Sequence, residues 1–335
     1  MYKAILASVI LGSMSVAQAA DVKWSGDFGY RNDSLEVGVA NSDRDRFRAG
    51  LVAKADVNDK TKVVVGVRTG STKSAWNDMA GGSLKTVDLN LAYVEYAAAE
   101  NVKVTLGKMN TPFVTEGLMF DGDIKPEGLA VALKNESGLS ATAFKLKLSE
   151  GGIDKDNTLV GVQVGVAKKV AGFDVAAHAA MLNQEQHLAG LCLIRTAPLL
   201  PVCGYTEKHD QLVLTASAAK EVAGVPVKLF VQQLKNDEAK RADTALAYGV
   251  RLGGVKKAGD WEVSLMKQDA EANALSNVWT DSDFGGEAVL HNGKALRAAY
   301  GLADGWAVRG SYFDVEVGAG KVDYKRLMVD LVYTF

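Results

Sequence analysis

The chain has 335 residues, 48% hydrophobic and 23% charged, which excludes wholesale disorder. Lys and Arg total 38 against 40 Asp and Glu, so no basic surplus marks a nucleic-acid surface. Two cysteines exclude a disulfide scaffold, and 34 glycines with only 5 prolines suit many strands joined by turns.

The first residues read as an address. Lys3 supplies a positive charge, Ala4 to Leu11 an apolar core too short to span a bilayer, and Ala17-Gln18-Ala19 a small-x-small cleavage site. This pattern predicts a signal peptide over 1–19 and a mature chain, 20–335, starting at Ala20. An amphipathic first helix is the plainer alternative. No later stretch approaches the roughly 18 apolar residues of a transmembrane helix.

After Ala20 the apolar pattern takes a period of two, the signature of strands with two different faces. Val63, Val65 and Val67 alternate with Val64, Gly66 and Arg68. Val87, Leu89, Leu91 and Tyr93 alternate with Asp88, Asn90 and Ala92. Leu246, Tyr248, Val250 and Leu252 follow the same rule, as do Leu327, Val329, Leu331, Tyr333 and Phe335. Sixteen strands are predicted, at about 22–32, 44–56, 62–70, 86–98, 102–110, 128–135, 138–149, 157–170, 173–184, 210–222, 227–236, 244–255, 261–270, 291–303, 306–317 and 322–335. Short turns, such as Ala171-Gly172 and Asp304-Gly305, alternate with long segments at 71–85, 111–127, 185–209 and 271–290. That sorting predicts an all-β transmembrane antiparallel barrel with short periplasmic turns and long extracellular loops. Trp24, Phe173, Trp261 and Trp306 open odd strands and Tyr333 and Phe335 close the last even one, so outward aromatics gather at one interface.

An exported chain of sixteen alternating strands ending in Leu327 to Phe335 (LMVDLVYTF) resembles the Gram-negative outer-membrane porins. Thr105 to Phe113 (TLGKMNTPF) and Phe120 to Gly128 (FDGDIKPEG) are similar to proteobacterial porins of the general-diffusion type. The resemblance covers the whole mature chain in architecture and these segments in sequence. It implies that Tyr333 and Phe335 belong to the segment read by the outer-membrane assembly machinery. It also implies a homotrimer embedded in outer-membrane lipid.

Sixteen strands enclose a lumen wide enough for water. Alternation turns Arg31, Arg46, Arg48, Arg68, Arg251, Arg297, Arg309 and Arg326 inward, on strands that become one wall when the last strand closes on the first. Snorkelling at the rim, or pairing with inward acids such as Asp27 and Asp330, is the alternative. Thr111 to Glu127 carries Glu116, Asp121, Asp123 and Glu127, and the resemblance implies that this loop folds inward and sets its acids across from the arginines. Opposed charges of this kind sort solutes by charge. An exposed surface loop, or a calcium clip of Asp121 and Asp123, is the bland reading. Two carboxylates fall short of the oxygens that calcium takes.

Cys192 and Cys203 flank ten residues of another long loop, and in an oxidising compartment a disulfide is the expected state. A zinc site with His187 and His209 fits no usual spacing, and no metal or other cofactor is expected. His178 and His291 stand alone. No GxSxG, HExxH or phosphate loop occurs, so the chain reads as a non-enzyme. The predicted function is passive diffusion of small hydrophilic solutes and ions. A structural or adhesive barrel without an open pore, or a barrel-borne hydrolase, are the competing readings.

Overall fold

The structure is a computed structural model that describes residues 21–70, 74–79, 85–149, 157–185 and 208–335. All regular structure among them is strand. The order is β1 (Val22–Val37), β2 (Ala40–Asn58), β3 (Thr61–Thr69), β4 (Asn77–Asp78), β5 (Val87–Ala99), β6 (Val102–Lys108), β7 (Glu127–Lys134), β8 (Leu139–Ser149) and β9 (Asn157–Val170). There follow β10 (Phe173–Glu185), β11 (Lys208–Val222), β12 (Val225–Asn236), β13 (Thr244–Gly253), β14 (Trp261–Ala270), β15 (His291–Ala303), β16 (Trp306–Val317) and β17 (Val322–Thr334). The two residues of β4 only pair inward onto β2, so the wall itself has 16 strands. Each pairs antiparallel with its neighbours, and β1 meets β17 from Asp27↔Thr334 to Val37↔Tyr324. Closure removes the unpaired edges that a membrane interior penalises.

The turns at 171–172 and 223–224 each place an alanine and a glycine at positive φ (51° then 80° in both), the primed hairpin geometry that matches strand twist. The first hairpin differs from expectation. A loop is expected between about 32 and 44, yet β1 and β2 run on to a tight turn at 38–39. Their polar run survives as strand because its alternate charged residues, Asp33, Arg44 and Arg46 among them, pair on the lumen side.

Outward positions are apolar and exposed: Val65, Val67, Leu246, Tyr248, Leu327, Val329 and Leu331. Trp24, Phe173, Trp261, Trp306 and Phe335 stand exposed near the short-turn end, with Trp306, Tyr333 and Phe335 in ring contact at 5.0 and 6.0 Å. The predicted face of β5 needs correction. A register shift opposite Gly66 and Val67 leaves Val87 and Leu89 outward but turns Leu91 and Tyr93 inward. One extra residue in the ladder is enough to exchange the faces.

The lumen is not empty. Two apolar clusters fill it on the β8–β17 side, built from inward strand residues such as Phe144, Leu159, Leu234 and Phe313 together with loop residues. The loop residues come from 109–126 (Phe113, Leu118, Met119) and from 271–290 (Leu275, Trp279, Phe284).

Candidate functional site

Loop 109–126 leaves the wall because β6 stops at Lys108, and the amide of Met109 donates to the Pro126 carbonyl (2.9 Å), closing its base. Inward glutamines seat it. The Val114 amide donates to Gln163 Oε1 (2.8 Å), whose own amide returns a bond to the Val114 carbonyl (2.9 Å). Thr115 Oγ1 and the Glu116 amide both donate to Gln232 Oε1, and the Leu118 amide donates to Gln268 Oε1 (3.1 Å). Phe113 packs against Phe144 and Phe120, each 5.3 Å between ring centres. Such aromatic pairs contribute about 0.5–1.5 kcal/mol each beyond their buried area.

The arginine wall takes its acids mainly from elsewhere. Arg31 grips Asp330 with two bonds of 2.7 and 2.8 Å. Arg326 does the same to Asp33 (2.7 and 2.8 Å) and also reaches Asp283 at 3.0 Å. Asp33, whose side chain is fully buried, also takes Arg44 at 2.8 Å and Arg46 at 3.4 Å. Arg46 donates to the Trp76 carbonyl (2.8 Å) and forms an ion pair with Asp78 (2.9 Å), and Arg48 forms an ion pair with Asp27 (2.7 Å). The buried Trp76 ring, in the described stretch 74–79, meets the guanidinium groups of both Arg31 and Arg48, at 4.1 and 4.8 Å from its centre. Six arginines (31, 44, 46, 48, 68, 326) are thus matched by six aspartates (27, 33, 78, 123, 283, 330). The wall is charge-matched rather than bare.

Of the four expected loop acids, the structure brings Asp123 to an arginine, Arg68, at 3.1 Å. Glu116 pairs with Lys228 of β12. Asp121 is buried, and one carboxylate oxygen accepts the amide of Asp123 (2.7 Å) within the loop's own turn. Glu127 is a correction: the alternation of β7 places it with the exposed Leu129 and Leu133, and it pairs with Lys108 at 3.0 Å. Arg297 lies over the Phe313 ring at 5.5 Å, Arg251 is 3.8 Å from Glu262, and Arg309 is exposed beside Asp330 in the ladder. Burial pushes the Lys125 amine of the loop down, against the opposing pull of Asp123.

Arg44, Trp76 and the glutamines escape sequence reading. The glutamines do carry a signal: Gln163 sits between Val162 and Val164, an inward polar group on an otherwise apolar strand. Below loop 109–126 a cavity of 1170 Å³ opens at the short-turn end, with Pro112 and Val114 above and Lys62, Glu95, Lys103, Thr142 and His178 around it. Cys192, Cys203, His187 and the segment 1–19 lie outside the described residues.

Residues 30–171 match the sequence profile of a family described as "putative porin". No curated protein sequence matches the chain. Among solved structures it resembles Pseudomonas putida OprB in its high-pH structure (12% identity, TM-score 0.66), each chain covered to 94%. It resembles Salmonella typhi OmpF at 15% identity and TM-score 0.58, covering 94% of this chain and 98% of that one. Acinetobacter baumannii OccAB4 is similar at 11% identity and TM-score 0.54, with 96% and 100% covered. At these identities the likeness is one of fold.

Proposed function

We propose that this chain, a porin of the Gram-negative outer-membrane superfamily, passes small hydrophilic solutes and ions by passive diffusion. The observation that carries the reading is the charge-lined cavity of 1170 Å³ inside a closed barrel, beneath a loop seated in the lumen. Such a cavity replaces bulk water with fixed charges and dipoles around a passing solute. Because six arginines meet six aspartates, the charge of this cluster cancels, and we expect weak ion selectivity from it. Arg68 with Asp123 is a pair in which an arginine of the wall faces an acid of loop 109–126, so it is the element of the constriction where wall and loop charge meet directly. Diffusion needs neither cofactor nor catalytic residue.

The same reading includes removal of residues 1–19, a Cys192–Cys203 disulfide and a homotrimer, the last by resemblance to general porins. Thiol labelling of unfolded protein should find neither cysteine free. Liposomes carrying the purified protein should swell in small sugars and lag progressively as the sugar grows. Swelling no faster than protein-free liposomes in every sugar overturns the proposal.

A further inference from the structure

We propose that loop 271–290 is a second constriction element, and that Asp283 is the positioning residue that holds it across the lumen. The inference rests on the porin reading and deepens it, because it states which part of the bore stays open.

A 20-residue extracellular segment has no need of buried side chains, yet Leu275, Trp279 and Phe284 are each at most 3% exposed. The loop is tied at two distant points of the wall. At one end, Gln211 of β11 donates to the Ala274 carbonyl and Gln184 of β10 to Ser276 Oγ, both at 2.8 Å. At the other, Arg326 of β17 donates to Asp283 at 3.0 Å. Since β11 and β17 lie six strands apart, the segment crosses the bore as a chord. It is also joined to the first loop: the Asp121 amide donates to the Trp279 carbonyl (2.8 Å), and the Trp279 ring sits about 6 Å from Phe113 and Phe120. The two loops therefore occlude the β8–β17 side together. Beneath them, at the short-turn end, the cavity stays open along β3–β10, lined by Lys62, Glu95, Lys103, Thr142 and His178.

Asp283 is the separable part of this arrangement. Arg326 keeps both bonds to Asp33 without it, so losing the Asp283 carboxylate removes the loop's ion-pair tie to β17 and loosens that end, while the wall stays paired and the ties to Gln184 and Gln211 remain. The test compares wild type with Asp283→Ala in single-channel recordings. The variant should conduct roughly two-fold more, as expected when one of two occluding segments leaves a narrow bore. It should also admit larger sugars in liposome swelling. A second variant, with 274–284 replaced by a Gly-Ser linker, guards against a local effect of the alanine. Wild-type conductance in both variants overturns the inference while the porin reading stands. If the wild type itself forms no channel, the porin reading falls and takes the inference with it.

Discussion

Asp33→Asn should be among the most damaging conservative changes in the barrel. The Asp33 side chain is fully buried and accepts Arg326 at 2.7 and 2.8 Å, Arg44 at 2.8 Å and Arg46 at 3.4 Å. Asparagine preserves the shape but removes the charge that three guanidinium groups share. Arg326 would retain Asp283 and Arg46 would retain Asp78, while Arg44 has no other ion pair among the described residues. Breaking a buried pair from one side costs about 3–5 kcal/mol, because a desolvated charge is left behind; with Arg326 and Arg46 each keeping an acid and the Arg44 side chain a third exposed, that figure is the ceiling here. With an unfolding entropy of about 2.1 cal/mol/K per residue, this corresponds to a midpoint lower by roughly 4–7 °C. The assay is the heat-modifiable mobility of detergent-solubilised protein, scanned in temperature. Asp304→Asn, in the exposed turn after β15, serves as control and should stay within about 0.5 kcal/mol of wild type. An Asp33→Asn midpoint equal to the control's refutes the reasoning, since the cluster would then be solvated and weak.

Other expectations follow from particular residues. Asp123→Asn should remove the carboxylate that faces Arg68 and shift the reversal potential towards anions, and Arg48→Gln should shift it the other way by removing the cation beside Asp27; both shifts should shrink as salt rises. Unchanged reversal potentials in both would place the constriction elsewhere. Deleting Phe335, or replacing it with Asp, should lower the amount of heat-modifiable barrel in outer-membrane fractions, because its ring stacks on Tyr333 and its amide bonds the Gly26 carbonyl at 3.1 Å. Normal levels would contradict this. The amide and hydroxyl of Thr244 hold the Glu271 carboxyl below the usual carboxylate range. A lowered folded value contributes stability that is present above the unfolded pKa, about 4.3, and lost as pH falls through the folded one. Thermal midpoints of wild type and Glu271→Gln should therefore differ at neutral pH and converge in acid; a constant difference would contradict the assignment.

Much of the wall was legible because alternation depends only on which face each residue meets. Leu327 to Phe335 could be read directly. At β5 the period held in the sequence but not in the barrel, since the irregularity lies in the pairing with β3 and leaves no mark on the residues themselves. The hairpin 32–44 was hidden by polarity, which in a water-facing lumen does not break a strand. The arginines were legible as inward groups, but their partners were not: Asp33, Asp78 and Asp283 reach them from the wall and from two other loops. Inward folding of 271–290 depends on Gln184, Gln211 and Arg326, each remote in sequence, so no local pattern announces it.

The most direct test of the central claim is a planar-bilayer recording of the purified wild-type protein under a salt gradient. The account predicts discrete, ohmic conductance steps with a reversal potential close to zero, as a water-filled bore with matched wall charges requires. No steps at any protein concentration would mean a barrel closed by its loops, and would contradict it.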